Sequence, residues 1–120
     1  MATILLSDPD EKSRVMLASL IEALGHRVVY DLGLDRVDAA VIEPASQDAM
    51  GLVRQARARR RLLPVVCVSA RRRTPTARRL APVAYIDKPV PVGPFVRALT
   101  TAVGPRRSLR QAEHEALAAA

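Results

Sequence analysis

Four polar or charged groups stand directly after short apolar runs in this sequence. They are Asp8 with Ser7 before it, Glu43, Ser69 and Lys88. Short runs rich in Val, Ile, Leu and Ala are typical of strands buried on both faces of a parallel sheet. Because ligands gather outside the carboxyl ends of such strands, we expect these groups at one edge, with Glu43 at the lip of any site. The expected chemistry is charge pairing, with the Glu43 carboxylate within ion-pair reach of Lys88.

Strands and helices alternate along the chain in a pattern that predicts an α/β fold. The predicted strands are 3–6, 27–30, 38–43, 65–68 and 83–86. The first helix is predicted to have Asp8 as its N-cap and Pro9 at its first position, and to be closed by Gly25. Apolar residues at helical spacing predict further helices around 49–56 and 95–103.

Two connections have less room for a helix than such a fold normally provides. Residues 31–37 are the whole link between the predicted second and third strands, and these seven residues hold at most a turn or two of helix. A crossover between parallel strands normally takes about a dozen residues or more. The second helix is therefore predicted to be abbreviated or missing. The pair Thr74-Pro75 likewise restricts the fourth helix to about residues 76–80.

The composition predicts a single cytoplasmic domain. The chain has 120 residues, of which 49% are hydrophobic, and this is enough for one core. Its only cysteine, Cys67, lies inside an apolar run and is expected to be buried; it excludes an internal disulfide and fits a reducing compartment. The sequence shows no signal-peptide pattern and no apolar run of about 18 residues that could span a membrane.

The net charge of +7 is carried almost wholly by arginine. The arginines cluster between positions 54 and 61, at 71–73 and 78–79, and at 106, 107 and 110. Such clusters fit solvated helix faces, and they also fit a polyanion partner. The sequence contains no helix-turn-helix, zinc-finger or aromatic stacking pattern, which are the usual signs of nucleic-acid binding. A basic nucleic-acid-associated protein is the alternative function.

Four motifs follow one another at the predicted strand ends. They are Ile-Leu-Leu-Ser7-Asp8, Ala-Val-Ile-Glu43 with Gly51 eight residues later, Val-Cys-Val-Ser69-Ala70 and Tyr85-Ile-Asp-Lys88-Pro89. Over residues 1–103 the chain thereby resembles the receiver domain of bacterial two-component response regulators. The resemblance implies a flavodoxin-like fold, a five-stranded parallel sheet in the order 2-1-3-4-5 with helices on both faces. Residues 104–120 would form a C-terminal helical tail or the stub of a linker.

In the family, an aspartate after the third strand accepts a phosphoryl group from a kinase histidine. Two acids after the first strand help that aspartate to hold Mg²⁺. The resemblance implies that Lys88 pairs with the phosphoryl group and that Asp8 is the second acid of the pair. It also implies that Ser69 is the switch hydroxyl and Tyr85 the switch aromatic.

Two positions of the acidic pocket depart from the family pattern. Ser7 stands where the first acid is expected, which removes one charge from the metal site. Glu43 stands at the phosphoacceptor position, where its extra methylene moves the carboxylate by about 1 Å or more, enough to cost about 10²-fold in positioned chemistry. Pro44 follows it and has no N–H. Mg²⁺ binding by Asp8 and Glu43 is therefore predicted to be weak or absent.

The sequence thus predicts an atypical receiver domain in phosphorelay signalling, which works without phosphorylation and through protein–protein contacts. The expected partner is a histidine kinase or an output domain, and the sequence leaves open a homodimer and nucleic-acid contacts through the arginine clusters. No phosphate-cradling glycine loop, nucleophile elbow or histidine-paired nucleophile is present, so the protein is not expected to be an enzyme.

Overall fold

The computed structural model describes residues 1–34 and 36–104, and at its centre is a five-stranded parallel sheet. The strands are β1 (Thr3–Ser7), β2 (Arg27–Val29), β3 (Ala39–Ile42), β4 (Val65–Ser69) and β5 (Ala84–Asp87). Their order is β2-β1-β3-β4-β5 with every neighbour parallel, which confirms the predicted topology. All residues of β3 and β4 are buried, because these strands have neighbours on both sides and are covered on both faces.

Four helices flank the sheet within the described ranges. They are α1 (Glu11–Ala23), α2 (Gln47–Arg59), α3 (Pro75–Arg79) and α4 (residues 92–104). Ser46 and Thr74 are the N-caps of α2 and α3, and each hydroxyl oxygen accepts the backbone N–H three residues further on. α3 has only five residues, as Thr74-Pro75 predicts. Gly25 closes α1 with a φ of +87°, a conformation that glycine adopts without strain.

The N-cap of α1 is Asp10, so the prediction of Asp8 at this position is wrong. The Asp10 carboxylate accepts the backbone N–H of Ser13 at 3.3 Å and the Ser13 hydroxyl at 2.7 Å. The Asp8 carboxylate has other partners, because its Oδ1 accepts the Asp10 N–H at 2.9 Å and its Oδ2 lies 2.8 Å from Lys88 Nζ. α1 therefore begins at Glu11, and Asp8 stays at the end of β1.

α4 begins earlier than the sequence predicts. The N–H of Phe95 donates to the carbonyl of Pro91 at 3.1 Å, so the helical hydrogen bonds start in the proline-rich stretch. Pro94 therefore lies in the first turn, where a backbone N–H would have no helical acceptor and its absence costs little. Phe95 and Leu99 are both completely buried, which orients the apolar stripe of α4 towards the sheet.

The link between β2 and β3 has no helix among its described residues, which confirms the abbreviated second crossover. Arginines at the end of α2 hold this link in place. The Arg59 guanidinium donates to the Gly33 carbonyl at 2.6 Å. The Arg60 guanidinium donates to the carbonyls of Val37 and Asp38 at 3.2 and 3.1 Å. These donors satisfy main-chain acceptors that a crossover helix would satisfy internally.

Helices cover both faces of the sheet, as predicted, and the two faces are covered by different elements. On the α1–α4 face, β1, β3 and β4 pack against two long helices, with Leu17, Ile21, Phe95 and Leu99 among the fully buried side chains. On the α2–α3 face, the strands pack against α2, the short α3 and the helix-free crossover. The buried residues there include Leu5, Val53, Leu63, Val65, Cys67 and Leu80.

The carboxyl-terminal part of the chain is described only as far as α4. Residue 104 still belongs to this helix, and residues 105–120 lie outside the described residues. The predicted tail and the arginines at 106, 107 and 110 therefore stay predictions. Within the described ranges no helix combines the length and the apolar character needed to cross a bilayer.

Candidate functional site

Four of the predicted site residues lie together at the carboxyl edge of the sheet. The parallel register places Ser7 beside Ile42 and Ser69 beside Asp87, so β1, β3, β4 and β5 end at a common edge. Ser69 is the last residue of β4, and the other three follow the ends of β1, β3 and β5 directly. The four are Asp8, Glu43, Ser69 and Lys88.

Glu43 is the most highly connected member of the group. Its Oε1 accepts the Ser69 hydroxyl at 2.7 Å and the backbone N–H of Ala45 at 2.9 Å. Its Oε2 lies 3.5 Å from Lys88 Nζ, so the expected ion-pair distance is observed. Glu43 is only 7% exposed, and burial of a carboxylate is tolerated when its oxygens have donors and a counter-charge. The carboxylate is thus fixed in one position by three groups.

Lys88 pairs with two carboxylates. Its Nζ lies 2.8 Å from Asp8 Oδ2, closer than it lies to Glu43. Burial alone lowers the pKa of Lys88, but the contact with Asp8 and the charges of Asp8 and Glu43 outweigh burial, and the pKa lies above its ordinary value. The backbone N–H of Lys88 donates to the Ser69 carbonyl at 2.9 Å, which ties the end of β5 to β4.

Asp8 is 4% exposed and is the second carboxylate that pairs with Lys88. Among the described residues, Asp8 Oδ2 has no hydrogen-bond partner other than this ion pair. The Arg14 guanidinium reaches the Asp8 backbone carbonyl at 3.0 Å, and so supports the loop without reaching the carboxylate. Two carboxylates and one ammonium leave the site with a formal excess of one negative charge.

Ser69 and Tyr85 are both attached to the segment that follows β4. Besides donating to Glu43, the Ser69 oxygen accepts the backbone N–H of Arg71 at 3.0 Å. The half-buried Tyr85 donates its hydroxyl to the Arg71 carbonyl at 3.3 Å. The Arg73 guanidinium carbon lies 4.9 Å from the centre of the Tyr85 ring, within cation–π range. The sequence singled out Tyr85 and the arginines at 71–73 separately, and it did not predict the contacts between them.

Within the described ranges, the side chains of Ser7 and Asp87 lie near the site but form no hydrogen bond or ion pair with its four members. Ser7 contributes its backbone carbonyl, which accepts the Glu43 N–H at 3.0 Å. Within the described ranges no hydrogen bond involves the Ser7 hydroxyl, so this side chain does not replace the missing acid. Asp87 is exposed at the end of β5 and points to no partner among the described residues. The first position of the acidic pocket is therefore without a carboxylate.

The residues at this edge do not fit Mg²⁺. The ion requires near-octahedral oxygen coordination, usually with carboxylates that are open to it. Here only Asp8 and Glu43 supply carboxylates, and the Lys88 ammonium lies between them. In the described part of the chain no group of three or more His, Cys, Asp or Glu side chains is close enough to hold a metal. Weak or absent Mg²⁺ binding stays a prediction.

Solved structures with a similar fold include receiver domains of response regulators. A response regulator receiver protein from Pseudoalteromonas atlantica has a TM-score of 0.71 and 19% identity, over 87% of this chain and 98% of that chain. The signal receiver domain of a modulated diguanylate cyclase from Desulfovibrio desulfuricans has a TM-score of 0.68 and 20% identity, over 89% and 97%. NtrX from Brucella abortus has a TM-score of 0.73 and 20% identity, over 93% of this chain and 29% of that chain.

The sequence itself matches no protein-family model and no curated protein. Identities near one fifth establish the fold and leave the chemistry of the site to be argued from its own residues. The order of the strands, the covering of both faces and these similarities agree: the chain has the flavodoxin-like fold of response-regulator receiver domains.

Proposed function

We propose that this chain is an atypical receiver domain of two-component signalling that works without being phosphorylated. The observation that carries the proposal is the set of contacts that Glu43 makes. Its carboxylate already holds the Ser69 hydroxyl at 2.7 Å and the Lys88 ammonium at 3.5 Å. These are the two side chains that the family resemblance assigns to the phosphoryl group. Glu43 thus already binds the hydroxyl and the ammonium group that would contact a phosphoryl group.

The same geometry argues against Glu43 as a phosphoryl acceptor. A nucleophilic carboxylate needs an oxygen that can approach phosphorus in line, with a metal to neutralise charge. Glu43 Oε1 carries two hydrogen bonds and Oε2 faces Lys88. A carboxylate supplies one charge where a phosphoryl group supplies up to about two, so Glu43 imitates the phosphorylated site only in part.

The proposed action is docking to another signalling protein, with no chemical turnover by the chain itself. Similar folds occur in the signal receiver domain of a diguanylate cyclase and within the longer chain of NtrX. A histidine kinase or an output domain is accordingly the proposed partner here, in the cytoplasm. The fixed network at Asp8, Glu43 and Lys88 would hold the domain in one conformation for such a partner.

Repairing the site tests the proposal. Wild type, Glu43→Asp, Ser7→Asp and the double variant are incubated with acetyl phosphate and Mg²⁺, and the mass of each intact protein is measured. Wild type should gain no phosphoryl mass, and each single variant little, since each leaves one defect. The double variant should gain more than both singles together, as expected for groups that share one site.

A matched control separates site chemistry from added charge. Ser19 is exposed on α1, so Ser19→Asp combined with Glu43→Asp adds the same charge elsewhere. This control should behave like Glu43→Asp alone. Uptake of a phosphoryl group on Glu43 of the wild type would refute the proposal. An inert but folded double variant would show that Pro44 or the abbreviated crossover, and not the two side chains, disables the site.

A further inference from the structure

The arginines of this chain are distributed very unevenly. Residues 49–86 contain ten arginines and no Asp or Glu. Residues 1–48 contain only four Lys or Arg against nine Asp or Glu, a net charge of −5. A general preference for arginine in the proteome would raise its content throughout the chain, and would leave acids interspersed with it. The basic region therefore calls for a local explanation.

Four of the ten arginines have structural partners. Arg59 and Arg60 bond carbonyls of the second crossover, and Arg73 lies over the Tyr85 ring. Arg57 donates to the carbonyls of Leu63 and Leu80, and so joins the end of α2 to the end of α3. Each of these four guanidiniums thus has a partner inside the domain.

The other six arginines are exposed, and none has an acidic partner within the described ranges. We call them the arginine surface: Arg54, Arg61, Arg71, Arg72, Arg78 and Arg79. Arg54 lies three positions before Arg57 on α2, and residues at this spacing are neighbours on one side of a helix, whereas Arg61 follows the end of α2. Because Arg57 reaches α3, this side of α2 faces Arg78 and Arg79.

Two adjacent cavities connect three members of the arginine surface, Arg61, Arg78 and Arg79. Arg61 and Arg79 line a cavity of about 400 Å³ between the ends of α2 and α3. Arg78 lines a neighbouring cavity of about 350 Å³, and Val83 borders both. The helix dipole favours cations at the ends of α2 and α3, but it disfavours Arg71 and Arg72, which precede the start of α3. The helix dipoles therefore account for only some residues of the arginine surface.

We propose that the arginine surface binds the phosphate backbone of duplex nucleic acid without reading its sequence. Guanidinium groups bind phosphate oxygens in pairs, which makes arginine better suited to this ligand than lysine. Among the described residues, the exposed large hydrophobic residues beside the surface are Leu62 and Val83. An acidic amphipathic helix would need a larger apolar groove in which to bury its own apolar face. The Tyr85 ring is covered by Arg73, and the exposed Tyr30 follows β2 at the other edge of the sheet. Among the described residues beside the arginine surface, no exposed aromatic therefore offers a stacking platform for single strands.

The test uses the full chain and a short labelled DNA duplex, with binding followed by fluorescence anisotropy between about 50 and 200 mM salt. Counterion release predicts that the logarithm of the affinity falls linearly with that of the salt concentration, with a slope of about −0.9 for each phosphate contact. If four to six arginines engage, the slope is about −4 to −5. The proposal concerns a surface separate from the Glu43 network, so its outcome is independent of the phosphodonor experiment.

A pair of charge-matched variants locates the binding surface. Arg72→Gln with Arg79→Gln should reduce the steepness of the salt slope by about 1.8 and weaken binding at about 0.1 M salt by more than tenfold. Lys12→Gln with Arg97→Gln removes the same charge from exposed positions of α1 and α4, and should leave the slope unchanged. The residues beyond 104 are identical in all variants and cannot cause the difference.

Three results would overturn the inference. The first is absence of binding at about 50 mM salt. The second is an equal loss for the two variant pairs, which would indicate a response to net charge alone. The third is tighter binding of polyglutamate than of the duplex at equal charge, which would assign the surface to an acidic protein.

Discussion

The α1–α4 face and the α2–α3 face of the sheet are covered by different means. The first is covered by α1, which has 13 residues, and by α4, of which 13 residues are described, and its contacts are almost entirely apolar. The second has one such helix, a helix of five residues and a crossover without a helix. Side-chain hydrogen bonds from Arg57, Arg59 and Arg60 to main-chain carbonyls complete it.

This difference shows how a chain can lose helices from a sheet and still cover it. A helix satisfies its own carbonyls and supplies apolar side chains, whereas a short link leaves both tasks to its neighbours. On the α2–α3 face the long arginine side chains do both, since their stems cover apolar surface and their guanidiniums donate to the carbonyls. Stability should therefore depend on packing on one face and on hydrogen bonds on the other.

The largest expected effect is on the helix-covered face. Phe95 is fully buried there, so Phe95→Ala should lower the free energy of unfolding by about 3–5 kcal/mol. Urea unfolding of the variant and wild type measures the change. Val92→Ala is the control, because Val92 is on the same helix and is 54% exposed; it should change stability by less than about 0.5 kcal/mol. A loss of less than about 1 kcal/mol for Phe95→Ala would contradict packing as the main source of stability on this face.

The second prediction tests whether the α2–α3 face is sealed despite its missing helix. Cys67 is fully buried in this face, and burial, helped by the charge of Glu43, raises the pKa of its thiol from 9.0 to about 11. Between these values the unfolded chain loses the thiol proton and the folded chain keeps it. Stability is therefore complete below about pH 9 and falls as the pH rises through 11.

Comparison with Cys67→Ala isolates this contribution from the other groups that titrate in alkali. The stability of wild type should fall by roughly 2 kcal/mol more than that of the variant between neutral pH and about pH 10.5. Urea unfolding at the two pH values measures it. In the native state the thiol should also resist alkylation until the protein is denatured. Parallel pH curves for the two proteins would mean that the face admits water.

The smallest effect concerns the arginines themselves. Arg57→Met keeps much of the apolar stem and removes the donors to Leu63 and Leu80, so unfolding should become easier by about 1–2 kcal/mol. Arg57→Lys should recover only part of this loss, since an ammonium lacks the planar fork. Arg54→Met, an exposed position on the same helix, should have an effect within about 0.5 kcal/mol. Equal changes in the free energy of unfolding for substitutions at positions 54 and 57 would refute stabilisation of the α2–α3 face by arginine hydrogen bonds.

The strands followed from local pattern, because buried parallel strands are short apolar runs with few alternatives. Their order was implied only by the resemblance to receiver domains. The meeting of Glu43, Ser69 and Lys88 followed from the same topology, since parallel strand ends share an edge. The sequence also predicted the abbreviated crossover, because the number of residues in a link limits the length of helix that it can form.

Other features depend on tertiary partners that a sequence does not name. Asp8 and Asp10 are both suitable N-cap residue types, and the sequence does not show that Asp8 is instead paired with the Lys88 ammonium. The arginines of α2 read as a solvated face, yet Arg57 and Arg60 are hydrogen-bonded to carbonyls far away in the chain. Which carbonyls need donors becomes known only after the fold is formed.

The two edge strands of the sheet also determine how it can meet another chain. β2 has only three residues, and β5 has four, bounded by Pro82 and Pro89. The Arg73 guanidinium further occupies the Tyr85 carbonyl at 3.5 Å. Addition of a foreign strand requires a row of open N–H and C=O groups, and short edges with prolines beside them offer few. Edge-to-edge aggregation of this sheet is therefore disfavoured, and a binding partner must use side chains of the helices and loops.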